Sequence, residues 1–187
     1  EPSRRSRVLA RLGDFREQDF RPRVILALEA RTRPVTRKVG KRWKRVQETA
    51  WYRITVPGRP NGRRGWVEAS KVTIRPVPWQ VVVYRDSRVL QVWRQGEKRY
   101  QARVAVGAPG TETPVGLYHV TVRFRPVRQT FLGTYAFETS AYSKLSEWPG
   151  GGVVGLHGTW RPELLGQAVS HGCIRVSNAT ANFLRDR

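Results

Sequence analysis

The sequence predicts a mainly β protein built as two domains. Three observations predict this. Short runs that alternate apolar and polar residues recur along the chain, the pattern of half-buried strands. Turn-formers separate them, most clearly in "PGRPNGRRG" (57–65). The only sustained helical pattern is the closing stretch "NATANFLRDR" (178–187), where Asn178 stands at the expected N-cap.

Taken in order, residues 1–23 form an Arg-rich arm carrying one apolar patch, "RVLARL". The segments "RVILALEA" (23–30), "WKRVQE" (43–48), "WYRITV" (51–56) and "GWVEASKVTI" (65–74) read as strands of a small barrel or sandwich. In "VTIRPVPWQ" (72–80), two prolines flank one valine. Proline resists helix and central strand positions, so the boundary between domains 1–76 and 77–187 falls here. Beyond it, "QVVVYRDSRVLQVWR" (80–94) reads as two strands around "RDSR". Further strands are expected in "RYQARVAVG" (99–107), "LYHVTVRF" (117–124) and "VVGLHGTW" (153–160), with at most one short strand in "TYAFETSAYS" (134–143). "APGTETPVG" (108–116) and "SEWPGGG" (146–152) read as loops, and "PELLG" (162–166) as a short helix or turn.

Composition narrows the function classes. With 39% apolar residues and seven Trp among 187, the chain can build cores and is not of the disordered type. The net charge is +21, from +14 over residues 1–76 and +7 over 77–187. Such a charge attracts polyanions: nucleic acid, anionic lipid or anionic wall polymers. A single cysteine excludes an internal disulfide and a Cys-only zinc site. No apolar run is long enough to span a bilayer. The sequence opens at Glu1, not Met, without a signal-peptide pattern, as expected of a mature or shortened product whose N-terminus could have carried an export signal or anchor.

The chemistry-bearing stretch is "VSHGCIRVSN" (169–178). A thiol becomes a strong nucleophile when an imidazole takes its proton. His171 and Cys173 are two apart, a spacing that puts both side chains on one face of a strand. Gly172 adds no side chain and lets backbone N–H groups turn toward a developing oxyanion. His157, in "GLHGTW", is a second histidine in the last third of the chain. His119, alternating with apolar neighbours in "LYHV", reads as a strand histidine. Two competing readings of the cysteine stand beside the nucleophile. One is a small buried hydrophobe. The other is a zinc site in which His157, His171 and Cys173 are three ligands.

At these residues the sequence resembles the L,D-transpeptidase catalytic domain, a family of cysteine enzymes of the bacterial cell wall. That family shows a histidine at a strand end, a dozen or so residues, then Ser/Thr-His-Gly-Cys. His157 and "SHGC" (170–173) stand in those places, and the upstream strand and Thr-Pro-x-Gly loop are matched by "ARVAVGAPGTETPVGLYHV" (102–120), with Thr113, Pro114 and Gly116 in place. The resemblance covers about residues 79–187. It implies an L,D-transpeptidase-type β-sandwich with short helices, Cys173 as nucleophile and His171 as general base. The Ser170 carbonyl would orient the His171 ring, and the N–H groups of Gly172 and Cys173 would hold the oxyanion. His157 would support the substrate. Arg175 would bind a substrate carboxylate or brace the loop, and Gly158 and Trp160 would meet the substrate. Members of the family continue past the helix to a further strand, whereas this sequence ends at Arg187. "WYRITVPGRPNGRRGWVEASKVTI" (51–74) is similar to bacterial SH3-like domains, which bind wall polymers or pack against a neighbour.

The implied reaction is 3→3 cross-linking of peptidoglycan stem peptides through a Cys173 thioester with release of D-Ala, outside the cytoplasm. Water as acceptor would give a carboxypeptidase, and a protein lysine an anchoring enzyme. The resemblance requires no metal or organic cofactor. Partners would be stem peptides and anionic wall polymers. Nucleic acid is not expected, because the interleaved aromatic and basic signature of RNA-binding modules is missing. A catalytically idle wall-binding protein is the alternative of another class. The loop 146–154 is expected to act as a lid, its glycines serving as hinges.

Overall fold

The computed structural model describes residues 2–3, 5–16, 22–127, 131–147 and 149–187. Parts of the N-terminal arm (1, 4 and 17–21) and Trp148 of the expected lid lie outside the described residues. The chain divides into two compact units, 1–57 with 62–75, and 58–61 with 76–187.

In the first unit, β1 (Ala27–Val39), β2 (Arg42–Thr55) and β3 (Arg64–Glu68) form an antiparallel sheet in the order β1-β2-β3. The two segments expected at 43–48 and 51–56 are one strand, because Thr49 and Ala50 between them carry no turn signal. β1 runs through Pro34, which an edge strand tolerates because its missing N–H faces no neighbour. Among the described residues these three strands and a 3₁₀ turn (Ala69–Lys71) are the regular structure of this unit, fewer elements than the expected SH3-like barrel. The closing strand expected after Lys71 runs into Pro76 and Pro78, which offer no backbone donor.

In the second unit, β4 (Trp79–Tyr84), β5 (Val89–Arg94) and β6 (Glu97–Arg103) form one antiparallel sheet. β7 (Val106–Gly107) pairs in parallel with β11 (Ala168–Ser170). The second sheet has the order β12-β10-β9-β8, from β8 (Val120–Phe124), β9 (Ala136–Tyr142), β10 (Val153–His157) and β12 (Ile174–Arg175). β9 has seven residues, longer than expected, because it sits between β8 and β10 and pairs with both. One core joins the sheets: Leu90, Val92 and Val104 from one side, and Phe137, Leu156, Ile174 and Val176 from the other. Burying such side chains contributes about 1.5–3 kcal/mol each.

Helix α1 (Asn178–Arg185) closes this core with Ala181 and Leu184. Its N-cap is Ser177, whose hydroxyl accepts the Thr180 N–H at 3.0 Å. Asn178, expected at the cap, instead accepts the Thr134 N–H at 3.0 Å through its side-chain oxygen. Residues 58–61 belong to this unit too. Arg59 donates to the carbonyls of Gly151 (2.8 Å) and Ser143 (3.0 Å), and the Asn61 amide makes hydrogen bonds in both directions with the Tyr142 backbone. No described helix is long and apolar enough to cross a membrane.

Candidate active site

β10 ends at His157, and β12 runs parallel beside it in the register Leu156 with Ile174 and His157 with Arg175. Cys173 immediately precedes β12, so the ladder carries the thiol to the edge of β10. There the Gly155 N–H donates to Cys173 Sγ at 3.4 Å. A methyl group built on the Gly155 α-carbon would lie 3.7 Å from His157 Cδ2 and 3.8 Å from Cys173 Sγ. Imidazole and thiol thus lie within contact distance of the same point beside the Gly155 backbone.

His157 is 1% exposed. Its Nδ1–H donates to the Gly158 carbonyl at 2.7 Å, which fixes the tautomer and leaves Nε2 as the acceptor. Burial pulls its pKa down, the Gly158 carbonyl opposes, the Arg175 charge lowers it further, and the result is about 4. Burial raises the Cys173 thiol, while the Gly155 N–H and the Arg175 charge pull it back. Both shifts favour the neutral imidazole and the neutral thiol in this pair. The reason is desolvation: a buried site penalises both charged forms.

His171 sits elsewhere in the arrangement. Residues 171–173 are a bend between β11 and β12, with Gly172 at φ +115. The alternation of a flat strand is lost at that glycine, so the spacing argument fails. His171 is exposed while Cys173 is half-buried. A side chain at Gly172 would also strike Ser143 Cβ at 2.9 Å.

Ser170, 1% exposed, braces the bend. Its hydroxyl donates to the Cys173 carbonyl at 2.5 Å and accepts the Gly172 N–H at 3.2 Å. Its carbonyl accepts the Ala108 N–H (2.8 Å) and the Thr111 hydroxyl (3.0 Å). This carbonyl thus serves the β7–β11 ladder, and the Gly172 N–H is bonded inside the turn.

Thr113, buried, completes the brace. Its hydroxyl accepts the Gly107 N–H and donates to the Gly172 carbonyl, both at 2.9 Å, and its own carbonyl accepts Arg85 Nη1 at 2.8 Å. A trans peptide is planar, so fixing the Gly172 carbonyl fixes the Cys173 N–H in the opposite direction.

Arg175 exchanges backbone hydrogen bonds with Ala105, both at 2.9 Å. Gly158 donates its N–H to the Tyr135 carbonyl at 3.0 Å, and Trp160 is half exposed. His119 lies just before β8, where its N–H donates to the Ser140 hydroxyl at 3.1 Å. Among the described residues, no group of His, Cys, Asp and Glu is arranged to hold a metal ion, so the three-ligand alternative is not assembled.

The sequence reading passed over Phe131 and Gly155. The Phe131 ring stands edge-on to His157 with centroids 5.9 Å apart and is 68% exposed. Neither residue has a sequence signal of its own, since each is set beside the site by folding. Thr113 was visible only as part of a loop motif.

The family model of the L,D-transpeptidase catalytic domain, YkuD, matches residues 78–187. A YkuD protein of Bacillus licheniformis is 29% identical over 126 residues, covering 64% of this chain and 70% of that protein. The YkuD protein of Bacillus subtilis is 28% identical over 130 residues, covering 70% of this chain and 65% of that protein. Among solved structures, L,D-transpeptidase 3 from Mycobacterium tuberculosis superposes with a TM-score of 0.47 at 16% identity, covering 83% of this chain and 76% of that one. Bd1075 of Bdellovibrio bacteriovorus superposes with a TM-score of 0.44 at 23% identity, covering 58% and 42%. With a family model matched over more than half of its length, this chain belongs to the L,D-transpeptidases, and residues 78–187 are its catalytic domain.

Proposed function

We propose that this protein is a peptidoglycan L,D-transpeptidase that works through a Cys173 thioester, with His157 rather than His171 as its general base. The observation that carries the reading is the Nδ1–H bond of buried His157 to the Gly158 carbonyl, with ring and sulfur flanking Gly155. A base needs its accepting nitrogen free and its ring held, and His157 meets both conditions.

The donor is a stem tetrapeptide. As the Cys173 sulfur forms a bond to the carbonyl carbon of the third residue, its proton passes to His157 Nε2. The tetrahedral oxyanion is met by the Cys173 N–H, aimed by the Thr113 hydroxyl on the far side of the same peptide plane. Collapse breaks the C–N bond, and the imidazolium returns its proton to the departing D-Ala amine. The side-chain amine of a second stem then attacks the thioester, gives its proton to His157 and releases the thiol, leaving a 3→3 cross-link. Arg175 keeps positive charge near the sulfur, which favours the thiolate character that develops during attack. Phe131 and Trp160 offer exposed aromatic surface for the substrate. The substrate places the enzyme outside the cytoplasm.

Intact mass after exposure to a carbapenem tests the thiol chemistry. A stable adduct on the wild-type chain that disappears in Cys173→Ala is the expected result. No adduct under reducing conditions sinks the proposal. Incubation with tetrapeptide donor and an amine acceptor, followed by product mass, separates cross-linking from hydrolysis.

A further inference from the structure

The β1–β2 ribbon has features that no step of the thiol chemistry uses. β3 pairs with β2 only over Trp51–Thr55, whereas the β1–β2 ladder continues outward to Val39 opposite Arg42. From Arg31 to Glu48 every residue is exposed except Val35 and Val46, which are half-buried and face each other. A two-stranded ribbon with neither face covered is marginal in water.

Its charges make it more so. Six of the ten residues 36–45 are Lys or Arg, and none is acidic. Arg37 stands directly opposite Lys44, an arrangement that destabilises a strand pair. At the end, Gly40 (φ +62) turns the chain and leaves two apolar side chains in water: Trp43 is 71% exposed and Val39 is 44% exposed. A solvated basic face accounts for the charges alone, and so does a dissolved polyanion. Neither accounts for an exposed Trp and Val at the tip. A lipid surface accounts for both: Trp settles at headgroup level while cations meet the phosphates.

We propose that residues 36–45 form a docking tip for anionic phospholipid surfaces, entering end-on with Trp43 and Val39 among the headgroups. The ribbon's charges then find counter-charges, and its apolar tip leaves water. This stands independently of the enzymatic reading.

The test is sedimentation of the full chain with vesicles of phosphatidylglycerol and phosphatidylcholine, or of phosphatidylcholine alone, at low and high salt. The chain should pellet with the anionic vesicles, release as salt rises, and ignore the neutral ones. Lys41→Gln and Lys44→Gln should each lower partitioning about fivefold. Trp43→Ser should weaken vesicle binding and leave retention on soluble polyphosphate and on duplex DNA unchanged. In the wild type, brominated lipid should quench a fluorescence component that Trp43→Phe lacks, a reading that needs no destabilising change. Far-UV circular dichroism and thermal unfolding of the same samples report that each variant is folded. Failure to pellet with anionic vesicles, absence of that quenching, or equal dependence of DNA and vesicle binding on Trp43 would overturn the proposal.

Discussion

Two histidines lie near one cysteine, and the choice between them turns on which ring is held. His157 is buried and bonded to a carbonyl, whereas His171 stands at the exposed side of a bend. His157→Gln should slow carbapenem acylation at least ~10²-fold, while His171→Gln stays within a few-fold of wild type, as read by mass-spectrometric time courses. The pH profile gives an independent reading. His157 stays neutral down to about 4, so the acylation rate should hold through about pH 5 and fall only near that value. A fall centred at the ordinary 6.5 would instead point to a solvated imidazole. Thr113 is a positioning residue, and its hydroxyl can be removed at nearly constant shape. Thr113→Val should lower the maximal acylation rate by roughly 10²-fold with little change in half-saturation, the size of one oxyanion donor, and Thr113→Ser should restore most of it.

At the scale of elements, the site depends on a parallel pair and a turn. β10 and β12 bring His157 and Cys173 together, although they stand sixteen positions apart in the sequence. The 170–173 turn works because Ser170 ties its backbone on both sides and Gly172 adopts φ +115 against Ser143. Gly172→Ala meets backbone strain of about 1–3 kcal/mol and a contact with Ser143 besides. Its thermal midpoint should fall by several degrees, and its acylation should weaken, in parallel measurements of unfolding and adduct formation. The strands β4, β5 and β10 were legible because their alternation sits between clear turns. β2 was legible only as two separate strands and β1 only to Ala30, since the outer half of β1 faces water on both sides and so carries no apolar period.

For the whole molecule, charge and pH decide most. His157 binds a proton in the unfolded chain below 6.5 but in the folded chain only near 4. Its contribution to stability is therefore present above 6.5 and is lost as pH falls toward 4, about 3 kcal/mol over that interval. Denaturant midpoints of wild type should drop across this window, and those of His157→Gln should drop less. A wild type equally stable at both ends would contradict the buried, neutral imidazole. The net charge of +21 has its densest run at 36–45, where every residue of the ribbon is exposed.

The sequence by itself determined the mainly β class, the family to which "SHGC" points and the strand that ends at His157. Alternation and turn residues are local signals, and a lone thiol beside glycine is chemically distinctive. Only the tertiary structure decided which imidazole is buried beside the same glycine as the thiol, that burial disfavours the charged form of both groups, and that a threonine far from the motif holds the Gly172 carbonyl. Those outcomes depend on burial and on hydrogen bonds between segments distant along the chain, and neither is encoded in the spacing of residues.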